Sequence, residues 1–252
     1  MEVVLPTAIA GGLVLSGAAI FAVTQLSADG VQSSDGRVYL DQFDSGDLET
    51  PNRVSNHTWA AFAKRCLDVI LSLMLLLISS PLLALVAVLI KLESAGPVFY
   101  KQTRVGLDGK HFEIIKFRSM QDNAEAQGVK WAVEDDPRVT KLGKYLRHFR
   151  IDEVPQVINV IRGDMSFVGP RPERPEFVDI LDRKITNYSL RHSVKPGITG
   201  WAQVKHEYAA SVEGSREKLR FDLFYIRNYS LALDIVIVLL TIRVALFGLG
   251  SR

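Results

Sequence analysis

Two adjacent carboxylates, Asp152 and Glu153, stand between two groups of bases. Lys141, Lys144, Arg147, His148 and Arg150 precede them, and Arg162, Arg171 and Arg174 follow. A carboxylate pair inside a basic frame suits chemistry on a phosphorylated substrate. The plainer reading is a helix cap beside a solvated basic face. Asp is a favoured N-cap and Pro155 is tolerated only in a first turn, so a helix is expected from Asp152 to Arg162, ending at Gly163. The start of a helix attracts anions, and a phosphate is welcome there. Neighbours on a helix point in different directions, so the two acids are expected to take two roles rather than share one proton. Further on, Pro170-Arg171-Pro172 forms a stiff turn that fixes where Arg171 points, and a guanidinium so mounted can grip phosphate with two bonds.

The elements around this stretch follow from periodicity. Residues 140–149 repeat as a helix, with Leu142, Leu146 and Phe149 on one side and Lys141, Lys144, Arg147 and His148 largely on the other. Residues 96–120 read as two short strands joined by a Gly-containing turn, carrying Lys101, Arg104, Lys116 and Arg118 toward phosphate or toward water. Residues 121–137 are polar and read as a loop with a short helix. The Gly/Pro-rich stretch 195–203, with Trp201 and Gln203, suits a nucleotide edge or simply a tight turn.

The apolar residues are gathered in blocks. Residues 3–26 form an uncharged run of about 24, long enough to cross a bilayer core of ~30 Å as a helix. A signal peptide is the competing reading, but only Met1 and Glu2 stand where its basic leader belongs. Residues 28–58 turn acidic and Gly/Ser-rich without an apolar period, as a flexible linker does. A docking role for that linker is the alternative to a plain tether.

A second uncharged run of about 22 residues, 69–90, has Ser80-Pro81 near its middle and basic residues on both flanks. Proline removes a backbone donor and clashes with the carbonyl of Leu77, and basic flanks favour the cytoplasmic face. A helix broken at Ser80-Pro81 that returns to its own side meets both conditions. A kinked spanning helix is the other reading. With both ends cytoplasmic, the first run would place Met1 outside. Residues 215–229 are amphipathic. Residues 231–249 carry Asp234 and Arg243, which leave too short an apolar run to span and favour a helix lying in the membrane interface.

The 252 residues carry a net charge of +2, which does not mark a nucleic-acid binder. Cys66 is the one cysteine, so no disulfide forms within the chain and no Cys/His metal spacing exists. Nor is there a Walker loop, a GxGxxG or an HExxH.

The ordered series KFRSM, DPRVTKLGKYLR, IDEVPQVINVIRGDMSFVGPRPERPEF, VKPGITGWAQV and DLFYIRNYSLALD resembles the bacterial sugar transferases, the monotopic phosphoglycosyl transferases, over about residues 62–247. The resemblance implies an α+β, mostly helical fold. It would have an N-terminal membrane helix (residues 1–27), the acidic linker (28–58) and a catalytic domain (59–252) with a re-entrant helix at about 62–92, a small β-hairpin and interfacial amphipathic helices. It implies transfer of a sugar-1-phosphate from a UDP-sugar to polyprenyl phosphate at the bacterial cytoplasmic membrane, with the catalytic domain facing the cytoplasm.

Matched position by position, the family's nucleophile falls on Asp152 and its Mg²⁺-associated acid on Glu153. Its membrane break falls on Ser80 and Pro81, and its nucleotide-sugar motif on Pro170, Arg171 and Pro172. Arg171 is the first choice among basic substrate contacts, with Lys101, Arg118 and Arg147 behind it. A homodimer is possible and no nucleic acid is expected. The chain departs from the common Asn-Gly after Gln203, as the exopolysaccharide branch does, which leaves the sugar and the acceptor open. Two rival functions remain: a transferase that moves only the sugar and releases UDP, and a non-catalytic scaffold of a polysaccharide assembly complex.

Overall fold

The computed structural model of the chain describes residues 36–37, 58–121, 124, 136–205 and 211–247. The membrane helix expected at 1–27 lies outside the described residues, as do most of the linker and most of the loop 121–137.

Helix α1, Thr58–Glu93, has 36 residues and contains Pro81. The break expected at Ser80-Pro81 does not open into a loop: the Ser80 hydroxyl donates at 2.8 Å to the Leu77 carbonyl, the acceptor that Pro81 leaves free. The Ser79 hydroxyl donates to the Leu75 carbonyl at 2.6 Å. Around that point the helix is bare: Leu73, Met74, Leu77, Ile78, Leu82 and Leu85 are all exposed.

Its two ends are not bare. Lys64 is buried between Asp68 and Asp234, at 2.8 Å from each. Asp68 accepts the Ser166 hydroxyl and the Phe167 N–H, both at 3.0 Å. Arg65 donates to the carbonyls of Val160 and Ile161 at 2.6 and 2.7 Å. At the far end Val86 and Ile90 pack on Phe117 and Leu146, and Glu93 accepts the Leu142 N–H at 2.9 Å.

Strands β1, Phe99–Val105, and β2, His111–Phe117, pair antiparallel from Phe99 opposite Phe117 to Val105 opposite His111. The turn between them places Asp108 at φ 53°. This is the hairpin expected from the sequence. Helix α2, Lys141–His148, is capped by Thr140, whose side chain accepts the Gly143 N–H at 2.9 Å. A 3₁₀ turn, Ile151–Gln156, leads into α3, Val157–Arg162, which ends at Gly163 with φ 96°. Asn159 on α3 clamps β2 at its backbone, accepting the Ile115 N–H at 3.0 Å and donating to Glu113 at 2.7 Å.

Strand β3, Ser166–Val168, precedes α4, Pro175–Lys184, and a 3₁₀ turn over Tyr188–Ser193. Strand β4, Gly197–Thr199, pairs parallel with β3. The chain passes itself so closely here that a Cβ on Gly197 would lie 2.1 Å from the Gly169 nitrogen. Helices α5, Trp201–Lys205, α6, Val212–Arg227, and α7, Leu231–Phe247, complete the described order.

The stretch 215–229, read as amphipathic, forms the centre of the core as α6. Leu219 and all of Phe221, Asp222, Leu223, Phe224, Tyr225 and Ile226 are buried, under β3, α4, α5 and α7. Asp234, read as a charge that shortens an apolar run, is fully buried. It is neutralised by Lys64 and accepts the Tyr225 hydroxyl at 2.8 Å. Leu233 and Ile237 of α7 also face the core, while Ile235, Leu239 and Ile242 are exposed on its other side. Trp201 stacks on Phe224 at 5.6 Å between ring centres, so it is a core residue rather than a nucleotide platform.

Candidate active site

The chain leaves α2 through Arg150, whose φ of 54° reverses its direction, and enters the 3₁₀ turn that bears the two acids. Arg150, not Asp152, occupies the cap position, and no side chain caps this turn. The expected N-cap role of Asp152 is therefore wrong: the left-handed residue starts the turn two positions earlier, and the Asp152 carboxyl is left over.

The neighbouring carboxyls meet opposite fates. Glu153 is gripped from both sides. Arg171 reaches it with both terminal nitrogens, Nη1 at 2.9 Å from Oε2 and Nη2 on Oε1, and Lys116 Nζ lies 3.1 Å from Oε1. Asp152, although buried, makes no hydrogen bond or ion pair with any described residue. Burial, then the adjacent Glu153 charge, push its pKa up to about 6 against the pull of Lys116, Arg147 and Arg171. Burial alone would raise Glu153 as well, but Arg171 and Lys116 outweigh it and hold that acid well below the ordinary carboxylate range. One acid is a fixed anion that organises two cations. The other is an unencumbered carboxylate on a basic floor.

The floor is built from below. Arg191, buried and paired with Asp222 at 2.8 Å and with the Tyr188 hydroxyl at 2.7 Å, donates to the Arg171 carbonyl at 2.9 Å. Arg104 donates to the Pro172 carbonyl at 3.2 Å, and the Gly197 N–H to that of Pro170 at 2.9 Å. Three consecutive carbonyls are thus tied down, which holds Arg171 under Glu153. Beside the turn a small cavity is lined by Val105, Gly106, Pro170, Arg171, Pro172 and His192. Burial, then Arg191, lower the His192 pKa to about 4, so its imidazole is neutral at pH 7.

Of the bases chosen from the sequence, Arg171 is brought to the acids, and Arg147 lies close enough for its charge to act on Asp152. Two others are not. Lys101 lies opposite Ile115, one residue out of phase with Lys116. It therefore points to the other face of the hairpin, exposed and paired with Glu113 at 3.2 Å. Arg118 is buried in a structural tie to the Ser94 and Ala95 carbonyls, each at 2.8 Å, and fastens the hairpin to the end of α1. Sequence reasoning named Arg104 and Lys116 only as strand bases facing phosphate or water, without choosing them for the site, and passed over Arg191. Strand parity relative to Arg171 separates Lys116 from Lys101, and that depends on packing. It also passed over Gln156, one 3₁₀ turn beyond Glu153, whose buried amide has no partner among the described residues.

For the Mg²⁺ that the resemblance implies, the described residues at this turn offer Asp152 and the remaining acceptor position on Glu153 Oε2. Among the described residues no cluster of three acids, His or Cys exists. Mg²⁺ takes one or two carboxylates and completes its shell with water and substrate phosphates, so this donor set fits the ion only together with a bound diphosphate.

The unpaired carboxylate lies among fixed cations, an arrangement suited to an anionic substrate, and among the described residues one helix, α1, is long and apolar enough to cross a membrane. The chain belongs to the bacterial sugar transferase family, whose sequence model matches residues 59–248. It is 46% identical over 235 residues to a UDP-N-acetylgalactosamine-undecaprenyl-phosphate N-acetylgalactosaminephosphotransferase of Aeromonas hydrophila, covering 92% of this chain and 53% of that protein. It is also 46% identical over 181 residues to the UDP-glucose:undecaprenyl-phosphate glucose-1-phosphate transferase of Escherichia coli, covering 71% of this chain and 39% of that protein. Against an exopolysaccharide production protein of Rhizobium leguminosarum it is 39% identical over 185 residues, 71% of this chain and 92% of that one. The chain thus spans about half or less of the first two relatives.

Proposed function

We propose that this chain transfers a sugar-1-phosphate from a UDP-sugar to polyprenyl phosphate, with Asp152 as the nucleophile. The contrast between a free Asp152 and a locked Glu153 carries the reading. A carboxylate oxygen of Asp152 attacks the β-phosphorus, and the bond to the oxygen bridging the two phosphates breaks. UMP leaves with the electron pair, and a phosphosugar ester remains on Asp152. The polyprenyl phosphate oxygen then attacks that phosphorus and returns Asp152 as a carboxylate. Arg171, Lys116 and Arg147 offset the repulsion between a carboxylate and a diphosphate and stabilise charge on the leaving group. Mg²⁺ bound with the diphosphate through Glu153 would add to that neutralisation.

Release of UMP from UDP-sugars, with undecaprenyl phosphate as acceptor, tests this. Release of UDP would mark a sugar-only transferase, and no release with any sugar would leave a scaffold. The first half-reaction, measured without acceptor, has a pH signature. Asp152 must be ionised to attack and its pKa is raised, so UMP release should fall as pH drops through about 6 and level off above it. Lys116→Met removes a charge that lowers that pKa, and the midpoint should move upward. A midpoint near the ordinary Asp value would remove Asp152 from the role.

We propose further that α1 enters the cytoplasmic membrane and returns to the same face, with the catalytic domain in the cytoplasm. A straight helix of 36 residues would be about 54 Å long. Yet Lys64 and Arg65 near its start and Ile90 and Glu93 at its end are all fastened to one domain, while no such tie holds the exposed apolar residues from Leu73 to Leu85. Cysteines placed at Ala60 and Ser94 in a Cys66→Ser background should label from the same side of sealed vesicles. Labelling from opposite sides would restore a spanning helix.

A further inference from the structure

The buried indole of Trp201, 3% exposed, needs a hydrogen-bond acceptor, and none of its own neighbours in sequence supplies it. The acceptor is the carbonyl of Gly36, 2.7 Å from Nε1 and 165 positions earlier in the chain. Gly36 is buried, and its φ of 76° lies where residues with a side chain are strained. A Cβ there would also lie 2.8 Å from the Trp201 ring. Next to it Arg37 pairs with Glu217 of α6 at 2.5 Å, and Glu217 is held from its other side by Arg220 at 2.9 Å. A backbone acceptor, a residue that must be glycine and a charged side chain thus meet a matching donor, a flat ring face and an anchored carboxylate. The two contacts use different atoms and different partners, Trp201 on α5 and Glu217 on α6.

We infer that Gly36-Arg37 is a built-in docking peptide, and that the face formed by Trp201 and Glu217 is its receptor. The acidic segment is fastened to its own catalytic domain instead of serving as a plain tether. The consequence is one of reach. Released, the 31 residues between Leu26 and Thr58 would allow the first apolar run to stray by up to roughly 100 Å from the domain. Fastened at Gly36, only nine residues remain between the two, and the end of that run is leashed within about 35 Å of Gly36. The receptor also lies behind the site. Trp201 follows Gly200, whose Cα stands against the Gly169 carbonyl, and Gly169 leads into Pro170-Arg171-Pro172.

The chain has three tryptophans, so Trp59→Phe with Trp131→Phe leaves Trp201 as sole reporter in the full-length protein in nanodiscs. Gly36→Val and Arg37→Glu should each shift its emission to the red and raise acrylamide quenching several-fold. Joining Arg37→Glu with Glu217→Arg should restore the parent signal by reversing the ion pair. Continued UMP release or an unchanged circular dichroism spectrum would show that Arg37→Glu still folds. Unchanged quenching in Gly36→Val, or a double variant no better than the sum of its singles, would overturn the inference. So would rescue obtained only by mixing Arg37→Glu copies with Glu217→Arg copies, because the peptide would then come from a second chain.

Discussion

Asp152→Asn should lose at least about 10⁴-fold of UMP release, because an amide cannot form the ester and nothing else described at the site is an unpaired nucleophile. The same substitution should make the protein more stable at pH 7 to 8. Asp152 has a folded pKa near 6 against an ordinary 3.8, so the folded state binds its proton more tightly than the unfolded state does. Its ionisation therefore weakens the fold as pH rises through that window, and the loss is complete above 6. At about 1.4 kcal/mol per pKa unit the neutral amide relieves up to roughly 3 kcal/mol. A dead variant with a higher Tm at pH 8 and an unchanged one at pH 3 would identify a carboxylate kept charged for chemistry at the expense of stability. Near-normal UMP release would remove the nucleophile, and a lower Tm at pH 8 would mean that Asp152 is structural.

Arg171→Ala should cost about 10²- to 10³-fold in the same assay, the range for loss of one preorganised charge donor. The variant leaves Glu153 with a hydrogen bond to Lys116 and the more distant charge of Arg150, and removes a guanidinium from the floor of the site. Arg171→Lys should recover little, because a point charge cannot reproduce two parallel bonds to one carboxylate. A structural effect accompanies the chemical one. Breaking a largely buried pair costs on the order of 3 kcal/mol, since it strands the partner's charge. Arg171→Met joined with Glu153→Met separates the two. That double variant should regain most of the lost Tm, because both charges leave together, and regain none of the activity. Activity returning with stability would make Arg171 a strut.

Several parts of this arrangement were legible before any coordinates. The hairpin followed from alternation around a Gly turn, and Gly163 marked the end of α3 because a left-handed exit favours glycine. The Asp-Glu pair, the stiff Pro-Arg-Pro turn and the long apolar helix were equally visible, since each is a property of residues close together in the chain. Errors arose wherever a residue's environment comes from far away. Lys101 and Lys116 look alike in sequence, yet strand parity sends one to water and the other to Glu153. Arg118 has the composition of a phosphate ligand and the position of a brace. The stretch 215–229 is amphipathic by pattern, but that pattern does not say what covers its apolar face, which β3, α4, α5 and α7 do.

The sequence by itself determined the family, the two acids, the basic frame and the apolar segments, because motif, charge and hydropathy are local quantities. Only the tertiary structure decided which acid is free. Asp152 and Glu153 are chemically near-equivalent neighbours, and their roles diverge because Arg171, 18 residues on, and Lys116, 37 residues back, both reach Glu153 and leave Asp152 without a partner. In the same way Asp234 reads as a charge that interrupts an apolar run until Lys64, 170 residues earlier in the chain, neutralises it. Coulomb interactions depend on distance through space, and folding sets that distance.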